Sequence, residues 1–202
     1  MNKQELYTWQ EEGTACLNFD PQRIWQPIHH LKTVGILKEG GDPKSPVLCA
    51  GCRNGFELKC FEDLGYTDVH GFDWSRKMIA VSMLTTDYDI RCADLMNPTP
   101  FDNQTFDIVY CSHTLEHIED FGKGFNNLYY LTKQGGYTII VLPKEPEPPS
   151  KYHITRIYTI EQITDIIEHW FSIGNDLDII HTATLTIPNS TNEEFMVVTQ
   201  RT

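Results

Sequence analysis

Short apolar runs alternate with stretches of helical periodicity through the middle of this chain. The runs fall at 46–50, 68–73, 88–92, 106–111 and 137–142, which is the length of strands rather than of helices. Between them, 54–65, 75–83 and 121–132 place apolar residues at helical spacing. Strand and helix in regular succession predict a parallel sheet covered by helices on both faces. Ahead of this block, Ile24, Trp25, Ile28, Leu31 and Leu37 predict an amphipathic helix over 21–38, with Asp20 as its cap and Pro21 at its first position. A shorter helix over 3–12 carries Leu6, Tyr7 and Trp9. The tail changes character. Pro143 to Pro149 form an extended proline-rich loop, Thr159 caps a helix over 160–171, and strands at 177–186 and 194–200 flank a short polar spacer, as in an antiparallel hairpin.

Three turns follow three of the strands. Gly51-Cys52-Arg53-Asn54-Gly55 comes after the first, Asp73 ends the second, and Asp94 follows the third. Glycines let backbone N–H groups approach a ligand closely, and a carboxylate about twenty residues on can accept from ribose hydroxyls. The pattern points to a nucleotide-type cofactor. Each residue also has a plainer role open to it: the glycines as a tight strand-to-helix connection, Asp73 as the cap of the helix near Ser75, and Trp74, Met78 and Ile79 as core.

A length of 202 residues suits one α/β domain, read as a helical lid segment over 1–45 and a main domain over 46–202. The formal net charge of −12, with no cluster of Lys and Arg, argues against a sequence-independent grip on nucleic acid and favours a small-molecule substrate. No apolar stretch reaches the ~20 residues of a membrane span, and the amino terminus lacks a signal-peptide core, so a cytoplasmic protein without membrane contact is expected. The six cysteines read as reduced thiols, mostly in the core. Cys49-x-x-Cys52 has the spacing of half a zinc site but no matching second pair, so no metal is expected. Monomer and homodimer stay open.

The order of elements and turns, from Val47 to about Arg201, resembles the class I S-adenosylmethionine-dependent methyltransferases of small-molecule type. Five segments carry the resemblance: Cys49 to Gly55, Gly71-Phe72-Asp73-Trp74-Ser75, Ala93-Asp94-Leu95, the stretch from Phe101 through Leu115-Glu116-His117-Ile118, and Lys133-Gln134-Gly135-Gly136. It implies a Rossmann-like, doubly wound seven-stranded sheet, mostly parallel with an antiparallel last strand. S-adenosyl-L-methionine is the implied cofactor. Gly51, Cys52 and Gly55 would cradle its methionine end, Asp73 its ribose, Asp94, Leu95, Trp74 and Met78 its adenine, and Ser112 its sulfur. Two positions depart from the family. Cys49 replaces the acidic residue that helps hold the methionine ammonium, and Arg53 replaces the middle glycine, where it could clamp the carboxylate or crowd the site.

His113 and His117 follow the fourth strand on the edge where open α/β sheets bind ligands, and His153 follows the proline loop. Each is a candidate for removing a proton from an acceptor, since imidazole titrates near neutrality. The alternative for Leu115-Glu116-His117 is a structural turn. In-line methyl transfer needs alignment and exclusion of water above all, so 1–20 and the loop Pro143–His153 are the expected lids. A catalytically silent binding or regulatory module on the same fold is the rival reading, fed by Cys49 and Arg53.

Overall fold

Every strand expected from the sequence is present, and β-pairing joins all of them into a single sheet. The computed structural model describes residues 22–171, 176–188 and 191–202; the expected helix over 3–12 and the cap at Asp20 and Pro21 lie outside them. In chain order the elements are α1 (Gln22–Thr33), β1 (Val47–Ala50), α2 (Phe56–Asp63), β2 (Val69–Asp73), α3 (Arg76–Thr85), β3 (Asp89–Cys92) and β4 (Phe106–Ser112). A single 3-10 turn (Leu115–His117), α4 (Phe121–Leu131), β5 (Thr132–Pro143), α5 (Ile160–Phe171), β6 (Leu177–Thr186) and β7 (Glu193–Arg201) complete the chain. The strand order is β3-β2-β1-β4-β5-β7-β6. The first five strands run parallel, and β7 pairs antiparallel with both β5 and β6. This is the doubly wound, seven-stranded arrangement the sequence implied.

Alternate residues of each central strand feed two separate cores. Val47 and Cys49 of β1, Ile108 and Tyr110 of β4, and Ile139 and Val141 of β5 pack with Ile28 and Leu31 of α1, Leu58 and Phe61 of α2, and Ile79 of α3. Leu48 and Ala50, Val109 and Cys111, and Ile140 and Leu142 pack on the other face with Phe125 and Leu128 of α4 and Ile163 and Ile167 of α5. A sheet covered on both faces has no solvent side, so these strands read as continuous apolar runs. Among the described residues no helix is long and apolar enough to cross a membrane.

Two boundaries differ from expectation. The helix expected over 21–38 stops at Thr33. Gly35 adopts a left-handed φ of 79°, Ile36 N donates to Leu31 O and Gly35 N to Lys32 O. That is the paired bonding by which a glycine closes a helix. Leu37 is nonetheless buried, because the chain turns back onto the same core. The fifth strand begins at Thr132 rather than Tyr137: Phe106 pairs with Thr132, the register then shifts, and pairing resumes at Ile108 and Tyr137. Lys133 to Gly136 therefore form an irregularity within a strand, with Gly135 at φ 79°. The described part of the 1–45 segment is tied into the domain, with Ile24, Ile28 and Leu31 in the first core and Arg23 Nε on Glu194 Oε1 at 3.0 Å.

Ile140, fully buried in the central strand β5, tests this packing. Ile140→Ala is expected to cost about 2–5 kcal/mol, the range for emptying a well-packed aliphatic site, read as a lowered midpoint in urea denaturation.

Candidate active site

The carboxyl ends of β1, β2 and β4 meet at one edge of the sheet, and the turn after β1 is shaped by what crowds it there. Gly51 has φ 75°, and a Cβ on it would fall 2.0 Å from Thr114 Oγ1. Only glycine fits between this turn and the segment after β4. The amides of Gly51 and Cys52 both donate to Phe72 O, at 2.8 and 3.1 Å. Arg53 holds the left-handed region at φ 49°, and Gly55 follows at φ 83° just before α2. Arg53 thus adopts the backbone conformation that a glycine would take there with less strain.

Asp73 joins the turn to the next helix. Its Oδ2 accepts from Arg53 N at 2.9 Å and its Oδ1 from Ser75 N at 2.8 Å. Burial pushes the carboxyl up, while those two amides and the Arg53 guanidinium pull it back. Ser75, not Asp73, caps α3, accepting from Met78 N. A carboxylate has about four acceptor sites, so Asp73 keeps capacity for two more donors. Cys52 turns its thiol into the core, where a Cβ on Gly71 would meet Cys52 Sγ at 2.6 Å; only its backbone faces the turn. Met78 is buried beneath it and Trp74 half-buried. Asp94 closes a turn after β3, accepting from Met96 N and Asn97 Nδ2, and the adjoining Leu95 is buried with its carbonyl accepting from Asn127 Nδ2 at 2.7 Å.

The end of β4 is dense in buried polar atoms. His113, at φ 50°, lies between two carboxylates, with Nε2 2.8 Å from Glu194 Oε1 and Nδ1 3.6 Å from Glu116 Oε1. Burial alone would lower its pKa, but hydrogen bonds from Glu116 and Glu194 raise it, so His113 holds its proton. His117 goes the other way: burial lowers it, against the attraction of Glu116. Its Nδ1 donates to Tyr152 O at 3.0 Å. His153 Nδ1 lies 2.7 Å from Glu145 Oε2, and the rings of His117 and His153 meet edge to face at 5.4 Å. Among the described residues, Gln26 Oε1 on α1 and, here, Tyr110 Oη, Ser112 Oγ, Glu116 Oε2 and Glu194 Oε2 are buried without a hydrogen bond of normal geometry. Leaving such atoms unsatisfied costs about 1–3 kcal/mol each.

Sequence reasoning missed Glu57, Arg23, Glu145 and Glu194. Glu57 sits in the first turn of α2, buried among Arg53, Asp73, His113 and Cys49. Its signal was available, since a glutamate flanked by Phe56 and Leu58 interrupts the apolar face of that helix. Arg23 and Glu194 carry no such signal, because they lie 171 positions apart.

A sequence profile for the methyltransferase-domain family matches residues 48–140, a span from β1 into β5 that includes all three turns. Over 154 residues the chain is 26% identical to phosphoethanolamine N-methyltransferase 2 of Caenorhabditis elegans, covering 70% of this chain and 35% of that protein. Over 127 residues it is 29% identical to the malonyl-[acyl-carrier protein] O-methyltransferase of a Buchnera aphidicola strain, covering 63% and 50%. The chain thus spans half or less of the length of these curated relatives. Among solved structures, the 1,6-didemethyltoxoflavin-N1-methyltransferase of Burkholderia thailandensis, seen with 1,6-didemethyltoxoflavin and S-adenosylhomocysteine, superposes with a TM-score of 0.70 at 12% identity, covering 96% of this chain and 84% of that one. In fold, matched turns and relatives this chain is similar to the class I S-adenosylmethionine-dependent methyltransferases. S-adenosylmethionine is the cofactor that goes with that family.

Burial pushes the Glu57 carboxyl up to about 7, against the pull of the Arg53 and His113 cations. An unfolded glutamate titrates near about 4.3, so between these values the folded chain keeps a proton the unfolded chain has lost. Stability contributed at this site therefore falls as pH rises from about 4.3 to about 7. Glu57→Gln, which cannot ionise, is expected to stabilise the protein at pH 8 relative to its effect at pH 5, by an amount on the order of 3 kcal/mol. Urea denaturation at the two pH values measures the difference.

Proposed function

We propose that this protein transfers a methyl group from S-adenosylmethionine to a small-molecule acceptor, in line, at the carboxyl edge of β1, β2 and β4. The observation that carries the reading is the Asp73 carboxylate, tied to both the Arg53 and Ser75 amides and still able to accept from a pair of ribose hydroxyls. Gly51 and Gly55 keep the turn open, and the Cys52 amide and Arg53 line it. Asp94, Leu95, Trp74 and Met78 bound the adenine side. Ser112, with its buried unpartnered hydroxyl, stands toward the sulfur.

The residues present fit the cofactor, including where they depart from the family. Cys49 cannot hold an ammonium: its thiol is fully buried and burial pushes its pKa well up. Glu57 supplies a carboxylate in the same neighbourhood. A methionine ammonium beside it would draw it into the ionised form, and a charge-assisted hydrogen bond of that kind contributes about 1.5–3 kcal/mol. Arg53, with Glu57 and Asp73 around it, is placed to meet the methionine carboxylate.

The bound sulfonium supplies the methyl group and the driving force; the chain supplies alignment and dryness. Holding the partners in line contributes up to ~7–11 kcal/mol. The loop Pro143–His153 covers the site from the side of His117, where Tyr152 O accepts from the His117 ring; the other expected lid, 1–20, lies outside the described residues. Of the candidate histidines, His113 is held toward its protonated form between Glu116 and Glu194, and burial favours the neutral form at His117. The net charge of −12 and the small acceptors named for the Caenorhabditis elegans relative and the Burkholderia thailandensis structure favour a small acceptor over a nucleic acid.

Calorimetry with S-adenosylhomocysteine tests the reading. Asp73→Ala is expected to weaken binding at least tenfold, about 1.4 kcal/mol; unchanged affinity removes the ribose role. Arg53→Gly is expected to shift the affinity measurably, because the guanidinium reaches the methionine end. No binding by the native chain at millimolar ligand favours the silent module.

A further inference from the structure

The side chains of Glu116, His117 and His153 bring one ligand-type atom each to within 4.8 Å of one another. Two rings and a carboxylate are a donor set suited to divalent first-row transition ions. The supports around them have the arrangement that metal-binding histidines need. His117 Nδ1 faces the carbonyl of Tyr152. A carbonyl only accepts, so the proton sits on Nδ1 and the lone pair on Nε2, which lies 3.7 Å from Glu116 Oε1. His153 Nδ1 is held by the Glu145 carboxylate at 2.7 Å, which likewise directs Nε2 outward as the ligand atom. A carboxylate or carbonyl behind the ring is the usual second support of a ligating imidazole.

The loop is also anchored to its partner residues. Ile154 N and Thr155 N both donate to the carbonyl of Glu116, at 2.7 and 3.1 Å, so the residues next to His153 are clamped onto the residue that bears the acid. Glu145 fastens the loop from inside, accepting from Ser150 N as well as from His153. Glu116 is 2% exposed, and its Oε2 is buried without a partner. The carboxylates Glu116, Glu145 and Glu194 are all buried here, beside Arg23, His113, His117 and His153.

We infer that Glu116, His117 and His153 form a binding site for a divalent transition-metal ion, of the zinc, cobalt or manganese class, with Glu145 and Tyr152 positioning the rings. Ligand atoms around such an ion at 2.0–2.2 Å stand about 3–3.5 Å apart, so closure by about 1 Å completes the site. Cys49 and Cys52, the pair with metal-like spacing, are not part of it. If the methyltransferase reading holds, on which this clause alone rests, the ion marks the acceptor as an oxygen compound. Coordination lowers the pKa of a hydroxyl, whose proton leaves to solvent; the oxygen then bonds the methyl carbon as the carbon–sulfur bond breaks and the neutral thioether departs.

The test uses the full chain stripped with EDTA, titrated with cobalt chloride under visible absorption and with zinc chloride by calorimetry. One ion per chain is expected, with a cobalt spectrum free of thiolate charge-transfer absorption. His153→Ala, at a half-buried position, is expected to weaken binding at least tenfold, and Glu145→Gln by ten- to a hundredfold, with circular dichroism unchanged. Absence of saturable one-to-one binding, or binding that survives His153→Ala, overturns the site. S-adenosylhomocysteine titrated into the same stripped protein reports the cofactor separately. S-adenosylhomocysteine binding together with cobalt and zinc titrations that show no saturable binding overturns the metal site alone, and ion binding without S-adenosylhomocysteine binding leaves the metal site standing while the methyltransferase reading falls.

Discussion

The chain passes from β3 on one side of the sheet to β4 on the other, and the whole site depends on that reversal. With the order β3-β2-β1-β4-β5-β7-β6, the connections leaving β1 and β4 travel in opposite directions and cover opposite faces. Neither can close over the carboxyl edge between them. An opening at such a switch point is where open α/β sheets bind ligands. It is also why Gly51, after β1, and Thr114, after β4, come so close that a Cβ has no room.

Putting an opening there exposes backbone and polar groups that the two cores cannot satisfy, and the chain answers with charge. Asp73 absorbs two amides of the turn and the helix start. Glu194, on β7, binds both Arg23 of α1 and His113 of the β4 loop, so that one fully buried carboxylate links the first helix, the fourth strand and the last. An ion pair buried this deeply adds little net stability over apolar packing, but removing one partner is costly. Its consequence is geometric: the ends of elements far apart in sequence are held to a single arrangement.

The two departures from the family become intelligible in that setting. Glu57 puts a carboxyl in the first turn of α2, beside the turn after β1, while the end of β1 carries the buried Cys49. Arginine in a left-handed conformation costs about 1–3 kcal/mol of backbone strain. It places a guanidinium among Glu57, Asp73 and His117, where it favours the ionised form of the two buried acids.

Local signals decided a great deal here. Strand-length apolar runs, glycine turns and the acids at strand ends depend on residues within a few positions of one another, so the sheet, its helices and the positions of Gly51, Asp73 and Asp94 were legible from the chain alone. The stop of α1 at Gly35 was equally local, yet the apolar spacing that runs on to Leu37 masked it, since Leu37 reaches the same core by a turn. What no local pattern contains is which distant side chains share a space. Arg23 with Glu194, His113 with Glu194, and His153 with Glu116 and His117 are joined only by the crossing of the sheet and the clamp of the proline loop. Their protonation follows from that crowding: the same imidazole is kept charged between two acids at 113 and kept neutral by burial at 117, because desolvation and neighbouring charge are properties of the assembled edge and not of the sequence around either histidine.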